Sequence, residues 1–445
     1  MDEMRRKVPQ GGQMMGEAVS EASQSAGVRR QMDADRPVGP RLIMRVQQLP
    51  LAGREGHEAI LHASYLDDIP DALARWQAER VLLVVSTSLD TKTDVIRNLE
   101  DRLARRPYQV SKKIGVGSHS PYEDVIEIAH RVQAGSLDAV VSVGSGSYSD
   151  ACKAALMLAA TLPAGFDAAD MEALVDPVTG LAGHDRLRAP TARLICVPTS
   201  LSAGEWNTFA SATNPLGKKQ HFAHDQGAPS LILLDPRVAS TTPAHLWLSS
   251  GMRAVDHFVE GMCYPGCPAE AQEVISAGLC KMLRGLCEYH AGHETMDETE
   301  RLRGISECQQ GSREALLPYM KWGVRFGASH AMGHQLGSLA GVQHGITSCI
   351  LLPHVLRYTA HDTEAPQARI LTIFNETLGW QETQAGDAVA RFVALLGLPH
   401  TLAEVGVTDE QQIQKVATNT LSDVLAGKKN LPDLQGLREI LEVAK

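Results

Sequence analysis

The sequence predicts two folded parts, an α/β domain on a largely parallel sheet followed by an all-helical domain. Three observations carry this prediction. Short β-branched apolar runs alternate with helical stretches up to about residue 235. Beyond about residue 240 the strand pattern fades and helical spacing takes over. Between the two, 235-DPRVASTTP-243 combines prolines with small residues, the chemistry of a junction. The expected divisions are a disordered tail at 1–40, the α/β domain at 41–238 and the helical domain at 239–445.

The tail is rich in Met, Gln, Gly, Ser and charge and has no sustained period. The strand candidates follow: 80-RVLLVVS-86, 138-DAVVSVG-144, 192-ARLICVP-198 and 229-PSLILLD-235. Continuous runs of this length suit strands buried on both faces. Between them lie helical stretches at 93–106, 122–135 and 150–161. That alternation places helices on both sides of a parallel sheet. In the second half, segments 269–292, 383–397 and 434–445 carry helical spacing.

Composition narrows the class of function. The chain has 445 residues, 44% hydrophobic and 21% charged, enough for two cores in an ordinary globular protein. A formal charge of −10 and the lack of a basic stripe argue against a nucleic-acid partner. No apolar run reaches about 18 residues, so a membrane span is not expected. The N-terminus lacks a signal-peptide apolar core, and Asp2, Glu3, Glu17 and Glu21 do not suit a transit peptide; a cytoplasmic location is the expectation. The eight cysteines form no C-x-x-C pair and have apolar neighbours, which reads as reduced, mostly buried thiols. Cys263 and Cys267 read as loop thiols rather than as half of a zinc site.

Three motifs carry chemistry. Directly after a strand, 144-GSGSYSDACKA-154 opens a helix. Gly144 and Gly146 let a ligand approach the backbone, the Ser147 hydroxyl can donate, and a helix beginning near Ser149 would offer free N–H groups to a pyrophosphate. Without a third glycine, the same residues also suit a plain tight turn. The second motif, 197-VPTSLSAGEWN-207, follows the next strand and brings the hydroxyls of Thr199, Ser200 and Ser202. The third is histidine-rich: 328-ASHAMGHQLGSLAGVQHG-345 holds His330, His334 and His344, and His257 lies on an earlier helix. Three imidazoles so close together suggest a metal or catalytic site.

Together these residues resemble the iron-containing alcohol dehydrogenase superfamily over roughly residues 45 to 440. Its nucleotide signature G-G-G-S-x-x-D-x-x-K is matched at Gly144, Gly146, Ser147, Asp150 and Lys153, with Ser145 in place of the middle glycine. Its P-T-T region is matched by Pro198, Thr199 and Ser200. Its H-x-x-x-H-x-L-G and H-G are matched by His330, His334, Leu336, Gly337, His344 and Gly345. The resemblance implies a dinucleotide-binding domain with a helical C-terminal domain, the dehydroquinate synthase-like architecture. It also implies an NAD(P)H-dependent oxidoreductase acting on a small-molecule substrate, with a homodimer as the expected assembly.

In metal-dependent members an Asp and three His hold Fe or Zn, and the histidines map to His257, His330 and His344. The Asp position, four residues before the first His, is Arg253 in 251-GMRAVDHFVEGM-262. A guanidinium cannot lose its proton to become a ligand. Asp256 would point about 100° away from its neighbour His257, and Glu260 would share the His257 face. The maleylacetate reductase branch also lacks the Asp and works without metal, and 198-PTSLSAGE-205 resembles its loop in length. The resemblance therefore implies hydride transfer to a small carboxylated unsaturated or carbonyl substrate. In that reading Gly144, Gly146, Ser147, Asp150, Lys153, Thr199, Ser200 and Ser202 serve the cofactor, Arg253 meets the developing anion, and His334 or His330 supplies a proton. Two alternatives stay open: a metal-dependent alcohol dehydrogenase with a rearranged ligand set, and a member that keeps the fold without redox chemistry. Ser86 and Thr87 stand where an acid would favour NAD, with Asp90 close by.

Overall fold

The computed structural model describes residues 44–47, 57–423 and 426–445. The expectation of a disordered tail at 1–40 falls outside them. Ten strands run in the order β1 (Met44–Gln47), β2 (Glu58–Leu61), β3 (Arg80–Val85), β4 (Gln109–Ile114), β5 (Ala139–Gly144), β6 (Leu181–Ala182), β7 (Arg193–Pro198), β8 (Phe209–Thr213), β9 (Lys219–Ala223) and β10 (Leu231–Leu234). Seven of them form one sheet in the order β1-β2-β10-β7-β5-β3-β4, parallel except for β1 against β2. From Pro236 onward the named elements are helices.

The apolar runs form central strands because every other side chain has a core to enter. Leu82, Val84, Val140, Leu194 and Cys196 pack on one face of the sheet. Val81, Leu83, Val85, Val141, Val143, Ile195 and Val197 pack on the other. This period of two, apolar on both sides, is what a sheet sandwiched between helix layers requires. β4 escaped the sequence reading because its segment QVSKKI is an edge strand with mostly exposed side chains, where lysines discourage further pairing.

β4 lies on one side of β3 and β5 on the other, so the strand order reverses beside β3. The carboxyl ends of β3 and β5 therefore frame the crevice where open α/β sheets take ligands. α1 (Gly146–Thr161) leaves β5 three residues earlier than the sequence reading placed it, and its first turn contains the glycine and serine of the motif.

A second small sheet, β6-β9-β8, stands beside the main one, with β8 and β9 forming an antiparallel hairpin. In the helical part, α2 (Ala244–Cys263), α3 (Ala328–Ala340) and α4 (His344–Tyr358) carry the histidine motifs. Their shared core also takes in Ala59, Leu61, Leu201, Trp206, Ile232 and Leu234 from the sheet side, so sheet and helices bury one continuous apolar surface. The predicted junction is itself partly helical: Pro236–Ala239 forms a short helix capped by the Asp235 carboxylate.

Gly345 shows why a glycine follows His344. A Cβ there would sit 2.3 Å from the Ser249 carbonyl oxygen, so α4 can touch the α2 backbone only through a glycine. Gly345→Ala should cost about 1–3 kcal/mol by forcing the helices apart. Urea unfolding of the variant measures this, and an unchanged midpoint would contradict the close approach.

Candidate active site at the carboxyl ends of the strands

The nucleotide side is built from the β5 turn and the loop after β7. Gly144 accepts a hydrogen bond from the Thr199 amide at 3.0 Å, which places the two motifs side by side. Gly146 faces Ser202 so closely that a Cβ would lie 3.3 Å from the Ser202 Cβ. Ser200 and Ser202 hydroxyls are 3.2 Å apart. Ser147 Oγ accepts from the His119 amide at 3.2 Å. The first amides of α1 have no intrahelical acceptor and carry the positive end of the helix dipole, so this turn suits a phosphate. Gly144, Gly146, Ser147, Thr199, Ser200 and Ser202 are thus brought together.

Lys153 and Asp150 act differently from the expectation of cofactor contact. The Lys153 side chain is fully buried. It donates to the Gly204 carbonyl at 2.6 Å, to Asn207 Oδ1 at 3.1 Å and to the Phe209 carbonyl. Asp150 pairs with it at 3.2 Å and accepts the Ser211 amide at 3.2 Å. These two residues hold the loop and the β8–β9 hairpin in place and leave Lys153 no donor for a phosphate. Asp90, the acid near the end of β3, is likewise committed: Lys112 donates to it at 2.9 Å.

On the helical side the centre is Arg253, 2% exposed. Its Nη1 lies 3.4 Å from Asp256 Oδ2 and 3.2 Å from Ser348 Oγ, and its Nη2 lies 3.4 Å from His334 Nε2. Asp256 Oδ2 also accepts from Ser329 Oγ at 2.9 Å and from Ser348 Oγ at 2.6 Å. Burial would raise the Asp256 pKa, but the His330 and Arg253 charges and the Ser348 hydroxyl hold it below the usual carboxylate range. Gly333 makes room for the guanidinium: a Cβ there would meet Thr347 Oγ1 at 2.6 Å and Arg253 Nη1 at 3.4 Å.

Asp256 does point away from His257, but it points toward His330, whose Nδ1 is 3.3 Å from its carboxylate. Glu260 does not serve His257 either. It accepts the amides of Gly327 at 2.9 Å and Ser329 at 2.6 Å and the His330 Nδ1–H at 2.7 Å. It caps α3 from a distance, because Gly327 has no side chain with which to do so.

The three histidines expected as metal ligands do not converge. His257 and His330 stack in an aromatic pile with Phe326, with ring centroids 4.7 Å apart for the pair and 4.4 Å for Phe326 and His330. His344 instead lies parallel to His334, 5.3 Å away. Among the described residues, the group whose potential ligand atoms fall within 4.8 Å of one another is Asp256, Glu260 and His330. Asp256 Oδ2, the Glu260 carboxylate and His330 Nδ1 are engaged by serine hydroxyls, a guanidinium, backbone amides and one another, while Asp256 Oδ1 and His330 Nε2 are buried without a partner; a fixed cation 3.4 Å from Asp256 would repel a divalent ion. With a guanidinium where the resemblance implies a ligand Asp, this cluster is a poor match for that iron or zinc ligand set.

Burial keeps the His257, His334 and His344 imidazoles neutral. Arg253 can only donate, so His334 Nε2 must accept, and its Nδ1–H must donate to Asp423 Oδ2 at 2.8 Å. Burial lowers the His334 pKa to about 4 against the opposing pull of Asp423. In this state Nε2 carries no proton. Burial also lowers His221 to about 3 and His257 and His344 well below the ordinary value, with nearby cations adding to the effect. His330 keeps its Nδ1–H on Glu260, and its Nε2 is buried without a partner.

The sequence reading missed the β8–β9 hairpin and with it Lys219 and His221. The signal was there: FASAT and KKQHFA alternate around the turn 214-NPLG-217. His221 Nδ1 lies 3.1 Å from Ser211 Oγ. His119 reaches His344 with ring centroids 6.3 Å apart.

Two predictions follow from this geometry. Arg253→Met leaves a buried carboxylate unpaired and should cost about 3–5 kcal/mol at neutral pH, with Asp256→Asn in the double variant restoring part of it. Denaturant unfolding of the two singles and the double reads the coupling, and purely additive losses would contradict the pair. Histidines with depressed pKa take up protons on unfolding. Between about 4 for His334 and the ordinary 6.5, the unfolded chain holds more protons, so stability rises with pH and is lost as pH falls through that window. The melting temperature should drop from pH 7.5 to pH 5, and a flat profile would contradict neutral imidazoles.

Comparison with known proteins fits this arrangement. The pattern described as iron-containing alcohol dehydrogenase matches residues 57–236. The C-terminal pattern of the Fe-containing alcohol dehydrogenase family matches residues 320–444. Dehydrogenase ALT3 of Alternaria alternata is 30% identical over 374 residues, spanning 76% of this chain and 92% of that protein. The crystal structure of a 1,3-propanediol oxidoreductase superposes with a TM-score of 0.74 at 20% identity, covering 91% of this chain and 100% of that one. The maleylacetate reductase of Agrobacterium tumefaciens superposes with a TM-score of 0.66 at 18% identity, covering 91% and 98%.

Proposed function

Because the chain belongs to the iron-containing alcohol dehydrogenase family, a family of oxidoreductases, we propose that it reduces a small carboxylated unsaturated or carbonyl substrate with NADPH and without a metal. One observation carries the metal-free reading. The guanidinium of Arg253 lies against Asp256, Ser348 and His334, so a fixed cation stands in the site's polar centre. The similarity to the maleylacetate reductase supports the same fold and suggests the substrate class to test.

In this reading the pyrophosphate rests on Gly144 to Ser147 at the head of α1, with Ser202 beside it. The cofactor supplies the hydride. It passes to an electrophilic carbon of the substrate, and the electron pair moves onto the conjugated or carbonyl oxygen. The positive field of Arg253 stabilises that oxygen in a site with little water. His330 Nε2, buried and unpartnered, is the imidazole atom open to carry the proton. His257 and His344 wall the site as neutral rings.

NADPH is favoured over NADH because, among the described residues, the acid near the end of β3, Asp90, is engaged by Lys112. Ser86 and Ser88 hydroxyls stand there 3.0 Å apart.

Turnover should survive EDTA, and the purified protein should hold well under one metal per chain by elemental analysis. One equivalent of iron or zinc with chelator-sensitive activity would sink the metal-free reading. With maleylacetate, kcat/KM should be higher for NADPH than for NADH. The reverse order would overturn the coenzyme assignment.

A further inference from the structure

Among the described residues, Arg253 and Lys219 are two cations of different standing. Arg253 is committed to Asp256, Ser348 and His334. Lys219 is not: among the described residues no hydrogen bond or ion pair reaches its ammonium, and the side chain is only partly exposed. The acids whose fields reach it are already engaged. Asp150 is held by Lys153 and the Ser211 amide, and Asp423 by His334 and the Ala426 amide.

The hairpin fixes where Lys219 points. It pairs with Thr213, and His221 pairs with Ser211. Residues directly opposite share a face, so Lys219, His221, Ser211 and Thr213 lie on one side. The other side, with Ala210, Ala212 and Phe222, enters the core below. Thr213 in turn bonds the His119 carbonyl at 3.0 Å, and His119 faces His344. The charge of Lys219 also disfavours protonation of His119, His221, His334 and His344. A half-buried ammonium with no ion-pair partner among the described residues, on the hairpin face that carries His221 and Thr213, is a receptor for an anion supplied from outside.

We infer that Lys219 is the residue that binds the substrate's carboxylate. Substrate selection by charge would then lie on the β8–β9 hairpin, outside the histidine motif. Arg253 keeps a separate task as the buried cation near the reacting oxygen. The inference rests on the proposed reduction of a carboxylated substrate and adds the group that recognises it.

Lys219→Met and Lys219→Arg test it with two readouts. The first is calorimetric binding of succinate to the NADPH-bound enzyme, which does not depend on turnover. Wild type and Lys219→Arg should bind succinate, and Lys219→Met should bind about 10- to 100-fold more weakly, the usual effect of losing one charged hydrogen bond. The second is the ratio of kcat/KM for maleylacetate to that for butanal, which should fall by a similar factor in Lys219→Met. A weakened NADPH affinity in Lys219→Met with an unchanged substrate ratio would assign Lys219 to the coenzyme and overturn the inference. So would succinate binding that is absent from wild type or equal in both proteins. If succinate binds through Lys219 but maleylacetate is not reduced, the carboxylate site stands and the proposed reaction fails.

Discussion

The structure of the site depends on one buried ion pair, Arg253 with Asp256, both on α2 and both nearly inaccessible. Two charges removed from water lose several kcal/mol of solvation each, and the pair alone, at 3.4 Å, does not recover that loss. Recovery requires the surroundings: hydroxyls of Ser329 and Ser348 on the carboxylate, and Ser348 and His334 on the guanidinium. Those partners come from α3 and α4. The pair therefore fixes how three helices dock, and Gly333 and Gly345 are the positions where this docking leaves no room for a side chain.

The same burial sets the electrostatics of the histidines. Desolvation first, and then nearby cations that include Arg253, keep His257, His334 and His344 neutral where exposed imidazoles would begin to titrate. A metal would bring two positive charges and demand convergent lone pairs. Here the rings stack in two pairs, His257 on His330 and His344 on His334, and the Glu260 carboxylate is turned toward backbone amides. The guanidinium at position 253 thus goes with a rearrangement of the cluster around it.

The two halves of the site are joined covalently by very little and physically by several contacts. The loop after β7 bonds α2 through the Leu201 amide and Ser250 Oγ at 3.0 Å, one turn ahead of Arg253. Thr242 Oγ1 donates to the Thr199 carbonyl at 2.8 Å. Lys153 stiffens the same loop from below. A cofactor seated on the glycine turn would thereby sit against a segment whose position the helical part controls.

Much of this was legible in the sequence. The apolar runs of β3, β5, β7 and β10 specify a sheet buried on both faces, and the glycine–serine turn at 144–147 follows a strand and opens a helix. Arg253 by itself argued against a ligand set, since a guanidinium has no lone pair to give. Other roles depended on neighbours far along the chain. Spacing could not show that Lys153 turns inward, that Glu260 caps a helix starting 68 residues later at Ala328, or that Asp256 meets Ser348 across 92 residues. Nothing in the spacing singled out Lys219; the hairpin register sets it on one face with His221, Ser211 and Thr213. Local chemistry set which elements form and what each side chain can do, while packing decided which hydrogen bonds were left to be made.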